Sequence, residues 1–253
     1  MLKYKKGGAM NKLIKIIMIL LLAVALFFVN AFFGNPISKA LASRAANKYI
    51  DENYKDHKLK RDKIFYNFKT AYYTVRLQDE NSEDTKFEVA FDSLGRFKND
   101  TFFDIKFNTW LRFEDELRNY GKELAKKENL PFKLNLILSD EKDYNELTLD
   151  EKVDFDHFPF RVEVNVFGYA EEPTKEIAIK YLQEAAKTME KTPLEIKSYS
   201  IILVPEKNRK ENGEALDWKG SLSVHNIPKE KMNDLTTKYL DELIEEGNQP
   251  KDN

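Results

Sequence analysis

The sequence predicts an α+β protein in which one N-terminal transmembrane helix is followed by antiparallel sheets packed with helices. Two observations predict this class. The first is a long apolar run near the start of the 253-residue chain, of the length that a membrane-spanning helix needs. The second is a series of shorter segments in which apolar residues recur every second residue, typical of strands, or every third to fourth, typical of helices. Their predicted order is α-β-β-β-α-β, then β-α-β-β-α.

The apolar run from Ile16 to Phe33 is expected to cross the membrane. Its 18 residues include one polar side chain, Asn30. As a helix they span about 27 Å, close to the hydrocarbon thickness of about 30 Å. Gly34-Asn35-Pro36 ends the run, because a residue before proline disfavours helical backbone. The lipid bilayer is therefore the first predicted partner, contacted through Ile16 to Phe33.

Lysines before the run predict its orientation. Five of them precede Ile16, with no acidic residue among them: Lys3, Lys5, Lys6, Lys12 and Lys15. Because positively charged flanks stay in the cytoplasm, we expect a single-pass protein of the cell membrane with its N-terminus cytoplasmic and its C-terminal body extracellular. The alternative is a signal peptide cleaved after Ala31, which would leave a secreted soluble protein.

Charge and cysteine content exclude several function classes. The chain has 41 basic and 43 acidic residues, so the body without the five leading lysines keeps 36 basic against the 43 acidic residues. An acidic body argues against nucleic-acid binding, which needs a concentrated basic face. The chain has no cysteine. Disulfides, thiolate catalysis, cysteine-ligated zinc and a lipid-modified N-terminal cysteine are therefore excluded.

The first half of the body shows helix and strand signals in turn. Asn35 caps a helix from Pro36 to about Tyr54, since both residues favour these positions. Alternation predicts a strand over Ile64–Leu77, which lies under that helix and forms a hairpin with a strand through Phe87–Phe91. The next elements are a strand at Phe97–Phe107, a helix at Thr109–Glu128 and a strand at Phe132–Leu138. On the second helix, we expect one buried and one exposed set: Trp110, Phe113 and Leu117 inside, Lys122 and Lys126 outside.

The second half repeats this logic without a sequence repeat. Its predicted elements are a strand at Arg161–Tyr169, a helix from Pro173, strands at Ile196–Val204 and Leu216–Val224, and a helix from Pro228. Residues 140–159 form a strongly acidic segment, which is the one break in composition. The predicted organisation is therefore a leader and transmembrane helix at 1–34, an α+β domain at 35–139, an acidic linker or loop at 140–159, a second α+β domain at 160–246 and a disordered tail at 247–253. One domain instead of two stays open.

Motif searches find no catalytic, metal or cofactor site. No nucleotide loop, Gly-x-Ser-x-Gly or His-Glu-x-x-His is present. The three histidines lack zinc spacing and are interpreted as surface or turn residues: His57, His157 and His225. Asp154-Phe155-Asp156-His157 is interpreted as a solvated loop. The same holds for the acidic stretch, which lacks the glycine and final glutamate of a calcium loop: Asp140, Glu141, Asp143, Glu146, Asp150 and Glu151.

The first predicted strand is rich in aromatic residues: Phe65, Tyr66, Phe68, Tyr72 and Tyr73. They would suit a ligand groove, but a place in the core explains them better, since large aromatic side chains are the usual filling of a strand's buried face.

Short motifs around the end of the apolar run resemble a known family. Asn35-Pro36-Ile37-Ser38-Lys39, then Ala45-Ala46-Asn47-Lys48-Tyr49-Ile50 and the turn Phe91-Asp92-Ser93-Leu94-Gly95-Arg96, are similar to the YfjL-like family of Gram-positive bacilli. That likeness covers about residues 12–107 and implies an N-terminal membrane helix, an Asn-Pro helix and a β-hairpin. The helix-then-hairpin order is also similar to extracytoplasmic PepSY and cystatin-like modules. The resemblance brings no site residues.

These observations favour a non-enzymatic, membrane-anchored binding or accessory module outside the cytoplasm. Its expected partner, besides lipid, is an envelope protein or peptide, with no cofactor, metal or nucleic acid. The alternatives are a cell-envelope enzyme that uses carboxylate acid/base chemistry and the secreted protein that leader cleavage would produce.

Overall fold

The computed structural model describes residues 7–139 and 143–247. The protein is α+β, as predicted, and the chain divides into two compact units between Asn108 and Thr109. Each unit has its own sheet and its own hydrophobic core. The first six residues, which include three of the five leading lysines, lie outside the described residues, as do 248–253 of the predicted tail.

Two helices open the N-terminal unit. Helix α1 (Gly7–Phe33) contains the whole predicted span, and α2 (Pro36–Asn53) follows after Gly34 and Asn35. The Asn35 side-chain oxygen accepts hydrogen bonds from the backbone nitrogens of Ile37 (2.8 Å) and Ser38 (3.2 Å). Pro36 occupies the first turn, where its missing N–H costs nothing. The predicted start of this helix is confirmed.

The N-terminal sheet is antiparallel, in the order β1-β3-β4-β5, with β2 also paired to β3. Its strands are β1 (Leu59–Arg61), β2 (Phe65–Asn67), β3 (Tyr72–Asp79), β4 (Lys86–Phe91) and β5 (Phe97–Asp100). The predicted hairpin is confirmed, because Val75 of β3 lies opposite Val89 of β4. One sheet face packs with Ala42, Ala46 and Ile50 of α2 into the core of this unit.

Two predicted strands are shorter than expected. The strand expected over Ile64–Leu77 is two strands, β2 and β3, because the chain turns between them and Ala71 adopts a positive φ of 58°. The strand expected to reach Phe107 ends at Asp100, whose side-chain oxygen accepts a hydrogen bond from Phe102 N (2.8 Å) and starts a 3-10 turn. Both breaks come from local turn chemistry that outweighs an alternating pattern.

The C-terminal unit has a mixed sheet in the order β6-β7-β8-β9. Its strands are β6 (Phe132–Leu138), β7 (Val162–Ala170), β8 (Ile196–Pro205) and β9 (Leu222–Pro228), and its helices are α3 (Lys106–Lys127, starting at the boundary), α4 (Lys175–Met189) and α5 (Thr237–Gly247). Strands β7 and β8 are parallel and the other pairs antiparallel. The sheet is therefore largely antiparallel, and its one parallel pair arises because α4 is a crossover that returns the chain to the same end.

All three helices of this unit contribute to one core, through Phe113 and Leu117 of α3, Leu182 of α4 and Leu240 of α5. The expected burial of Phe113 and Leu117 and the exposure of Lys122 and Lys126 are confirmed. Trp110 is an exception: it packs at the edge of the core and stays half-buried.

The boundary between the units differs from the one expected at 140–159. Strand β6 pairs with β7 along its whole length, so residues before the acidic segment belong to the C-terminal sheet. Leu147, inside the expected linker, and Phe160, directly after it, are buried in that core. From residue 143 onward, the segment is therefore a packed connection between two paired strands, with short 3-10 turns at Tyr144–Glu146 and Phe155–His157.

The last predicted elements also shift. The strand expected from Leu216 starts at Leu222, after an ordered loop. The helix expected from Pro228 is a 3-10 stretch, Lys229–Asp234, followed by α5.

Candidate functional site: the outer face of the C-terminal sheet

The C-terminal sheet has two chemically different faces, because successive strand residues point to opposite sides. The inner face carries Leu134, Leu136, Val164, Val166 and Ile201, and all three helices add to the core on that side. We call the opposite side the outer face. Its residues in β6, β7 and β8 are Lys133, Asn135, Ile137, Glu163, Asn165, Phe167, Tyr169, Ser198, Ser200 and Ile202.

Two asparagines sit at the centre of the outer face. Asn135 of β6 and Asn165 of β7 lie directly opposite each other in register, and both are half-buried. Within the described part of the chain, neither side chain makes a hydrogen bond. Ser200 of β8 continues the row, and its Oγ accepts a hydrogen bond from Asn226 N at 3.1 Å. The two amides therefore offer donors and acceptors to a ligand.

Aromatic rings flank this polar row on one side. The ring of Phe167 lies 5.3 Å from that of Tyr169 and 6.1 Å from that of Trp218, centroid to centroid. Trp218 is 58% exposed. Two cations lie over these rings: Lys133 Nζ is 5.6 Å from the Phe167 centroid and Arg209 Cζ 4.9 Å from that of Tyr169. Burial raises the pKa of Tyr169, so its phenol stays neutral.

The loop that carries Trp218 is fixed to the sheet. Asn208 is buried at its base, where Nδ2 donates to Asp217 Oδ1 (2.9 Å) and to the Lys219 carbonyl (3.1 Å). At its tip, Lys133 Nζ donates to the Gly213 carbonyl (2.9 Å). The exposed indole is therefore held in place beside Phe167, an arrangement that reduces the entropy lost on binding.

An ion pair lies on the other side of the amide row. Lys197 Nζ lies 3.2 Å from Glu163 Oε1 and 3.3 Å from Ser139 Oγ. Glu163 and Ile137 are opposite each other in register and half-buried. The outer face is thus a band of neutral amides between an aromatic side and a charge-neutral polar side.

The three histidines noted in the sequence have different surroundings. His57 Nδ1 is 2.7 Å from Asp79 Oδ2, and the pKa of Asp79 is lowered, first by a hydrogen bond from Asn81 N and further by His57. His57 thus lies in a turn, partly exposed, and pairs with a buried carboxylate. His157 is exposed beside Asp154, 2.9 Å away, a contact that raises the His157 pKa. His225 is exposed on β9.

Carboxylates of the acidic stretch take part in local turns. Asp143 Oδ1 accepts from Asn145 N (2.9 Å), and Glu151 Oε2 accepts from Thr148 N (2.8 Å). Asp140 and Glu141 lie outside the described residues. Among the residues that the structure describes, no three histidine, aspartate or glutamate side chains converge as metal ligands.

The aromatic residues of the first predicted strand separate into two groups. Tyr73 is buried in the core and Tyr66 packs against it. Phe65 and Tyr72 are half-buried, whereas Phe68 lies on the β2–β3 turn and is 55% exposed. The interpretation as core residues therefore holds for Tyr73 but not for Phe68.

A cleft of about 390 Å³ lies in the N-terminal unit. Its polar lining combines both charge signs: Lys60, Asp62, Arg76, Gln78, Glu88 and Asn108. Glu88 Oε1 accepts a hydrogen bond from Arg76 Nε at 2.8 Å, across the β3–β4 pair. That contact keeps the glutamate in a cross-strand ion pair.

Sequence reasoning did not select Asn135, Asn165 or Trp218. The sequence did contain a signal for the asparagines. Each is an uncharged polar residue in the middle of a largely apolar strand, Phe132–Leu138 for Asn135 and Val162–Ala170 for Asn165. Their direct opposition depends on register, which a single strand does not display.

Comparison with known proteins identifies the family of both units. Residues 10–110 match the family model described as YfjL-like, N-terminal domain, and residues 116–245 match the one described as YfjL-like C-terminal domain. The searches of curated proteins and of solved structures each found no match. In addition, the described residues contain one helical segment that is long and apolar enough to cross a membrane, and its apolar part lies in α1. The two family models together cover more than half of the sequence, and the chain belongs to the YfjL-like family.

Proposed function

We propose that this protein is a single-pass, membrane-anchored binding module, which holds its two units outside the cytoplasm and binds an extended segment of an envelope protein on the outer face. The observation that carries the binding role is the unpaired amide row of Asn135 and Asn165 beside the exposed indole of Trp218. The anchor is α1, whose apolar side chains from Ile14 to Phe33 are exposed.

The asymmetry of lysines supports the orientation. Lys12 and Lys15 lie on the N-terminal side of the apolar run, and three more lysines precede them in the sequence. Positively charged residues close to a span stay in the cytoplasm. The chain leaves α1 at Gly34, so both units follow on the opposite side of the membrane.

The chemistry of the amide row suits a peptide backbone. A carboxamide side chain carries the same donor and acceptor groups as a peptide bond. Two of them facing each other across β6 and β7 provide four N–H donors and two carbonyl acceptors to an extended chain. Each hydrogen bond of this neutral kind adds about 0.5–1.5 kcal/mol, so the row alone gives modest, sequence-tolerant affinity.

The aromatic side supplies selectivity. Tryptophan, tyrosine and arginine are the residues that most often dominate protein interfaces. Trp218, Tyr169 and Arg209 occur together here, with Arg209 over the Tyr169 ring. Leu216, on the same loop, is 66% exposed. An apolar side chain of the partner would therefore be received next to the amide row.

We further propose that the protein is not an enzyme. In the N-terminal cleft, Glu88 is held by Arg76. Elsewhere, Asp92 and Asp154 have a pKa below the ordinary value because hydrogen bonds stabilise their ionised forms. A general acid at neutral pH needs the opposite shift. The carboxylate enzyme is accordingly the weaker candidate.

Protease treatment of intact protoplasts tests the topology. A C-terminal tag on the full chain is expected in the membrane fraction and removed by external protease. Protection of the tag would overturn the orientation. Recovery of the tag in the medium, at a mass lacking the first 31 residues, would establish the secreted protein instead.

Site-specific photo-crosslinking tests the binding face. A photoreactive residue replaces Ser223, which is exposed and lies opposite Ile202 on the outer face. A defined adduct in intact cells is expected, and Asn165→Ala should weaken it several-fold. The matched controls lie on α3: the photoreactive residue at exposed Lys122 and the substitution Asn119→Ala. Equal adducts from positions 122 and 223, or indifference to Asn165→Ala, would refute the proposed site.

A further inference from the structure

An exposed phenylalanine lies beside the end of the membrane helix. Phe68 occupies the turn between β2 and β3, and its ring is 5.9 Å from that of Phe32, centroid to centroid. Phe32 belongs to the last turn of α1. Ring contact at this distance places the two side chains at the same level along the helix. Where Phe32 is in the bilayer, Phe68 reaches the bilayer too.

The junction that positions this turn is fixed by specific contacts. Asn35 N donates to Tyr73 Oη at 2.7 Å, and Tyr73 Oη donates to the Asn35 carbonyl at 3.2 Å. Gly34, at a φ of +72°, lies against Tyr66, since a Cβ at Gly34 would be 2.8 Å from Tyr66 Cγ. Tyr73 and Tyr66 flank the turn that carries Phe68. The hairpin tip is therefore held next to α1.

A second exposed apolar residue follows the end of α1 closely along the chain. Ile37 is the second residue of α2 and is among the exposed large hydrophobic residues. It follows Phe33 by four residues, across the non-helical pair Gly34 and Asn35. The headgroup region on each side of a bilayer is about 5–8 Å thick. Lys39 and Lys69 are exposed and close in sequence to Ile37 and Phe68, and a long lysine side chain beside an apolar contact can extend its charged end to lipid headgroups.

We propose that the β2–β3 turn is a second membrane contact, in which Phe68 enters the lipid interface beside α1 while Ile37 and Lys69 line its rim. The inference rests on the proposed insertion of α1. Phenylalanine is among the apolar residues that interfacial protein segments bury about 5–10 Å into the boundary between headgroups and acyl chains. A second contact point on the bilayer prevents free rotation of the N-terminal unit about α1 and sets which side of that unit faces away from the lipid.

Single cysteine substitutions give a direct test, because the chain has no cysteine of its own. Phe68→Cys carries an environment-sensitive fluorophore in the full chain, reconstituted into phosphatidylcholine vesicles with or without lipid-bound spin labels. The matched control is Phe103→Cys, at a phenylalanine that is 81% exposed. Its neighbour Phe102 packs on Tyr54, at the far end of α2, about 27 Å along that helix from its start.

The label at position 68 is expected to emit at shorter wavelength in vesicles and to lose at least half of its intensity to the lipid spin labels. The label at position 103 should change in neither respect. Flotation of the same vesicles reports the anchor independently. A chain that floats while position 68 behaves like position 103 would overturn the second contact and leave the anchor intact. A chain that does not float would overturn both.

Discussion

The phenolic oxygen of Tyr73 lies 2.7 Å from the backbone nitrogen of Asn35, which is 38 residues earlier in the chain. Asn35 at the same time caps α2 with its side chain. One residue thus connects the end of the membrane helix, the start of the first core helix and the central strand β3. The connection joins the predicted anchor to a folded sheet without a flexible linker.

Replacing Tyr73 with phenylalanine tests that connection. The change removes two hydrogen bonds to Asn35 and leaves its backbone N–H without this partner, so the free energy of unfolding should fall by about 1–3 kcal/mol. Urea unfolding of the detergent-solubilised full chain measures it. Tyr72→Phe, at the half-buried neighbour, should change stability by less than about 0.5 kcal/mol. Equal effects of the two substitutions would contradict the assignment.

Gly121 on α3 is expected to resist substitution. A Cβ there would lie 2.8 Å from Leu136 Cγ and 2.9 Å from the Leu134 carbonyl oxygen. Alanine gains up to about 1 kcal/mol of helix propensity, but overpacking costs about 1–3 kcal/mol, and a strand backbone cannot move away cheaply. Gly121→Ala should therefore lower the melting temperature. Lys122→Ala, on the exposed side, is the control, and a stabilised Gly121→Ala protein would show that α3 is farther from β6.

Substitution on the buried face of α3 should lower the free energy of unfolding by a larger amount. Phe113 is fully buried, and its ring lies 5.8 Å from those of Phe158 and Phe160, centroid to centroid. Phe113→Ala should lower the free energy of unfolding by about 3–5 kcal/mol. Leu111→Ala, two residues earlier on the exposed side, should cost much less. Chemical denaturation of both variants distinguishes the two faces, and similar losses would mean that the helix face is misassigned.

The β4–β5 turn should show a defined pH dependence. Asp92 Oδ1 accepts from Leu94 N and Arg96 N, each at 2.9 Å, and Oδ2 pairs with Arg96. The Arg96 backbone hydrogen bond is the main cause of the lowered Asp92 pKa. A lowered folded pKa means that the stabilisation is complete above the unfolded pKa of about 3.9 and is lost as pH falls toward the folded value.

Asp92→Asn removes this titration. The stability difference between wild type and the variant should be constant from pH 7 to about 5 and should shrink below that, as measured by urea unfolding across pH. Asp56→Asn, at an exposed position, should leave the wild-type profile unchanged. A difference that grows toward low pH would reverse the assigned sign.

Sequence patterns predicted the elements whose signals are local. The apolar run, the Asn35-Pro36 helix start and the buried face at Phe113 each depend on residues within a few turns of one another. The alternating pattern did not reveal the turn at Ala71. It continues through that residue, whereas the strand itself breaks there. Of the candidate site, the alternation within β6 and β7 was predictable, but the function of their outward residues was not.

The amino-acid sequence by itself determined the apolar span, the α+β class and which side chains along each strand share a face, because periodicity is a property of one segment. Only the tertiary structure decided that β6 belongs to the C-terminal sheet, that β7 and β8 are parallel and that Asn135 faces Asn165. Strand partners and register come from hydrogen bonds and core contacts between segments far apart in the chain. The same alternating pattern is compatible with several pairings, and packing of the whole core selects one of them.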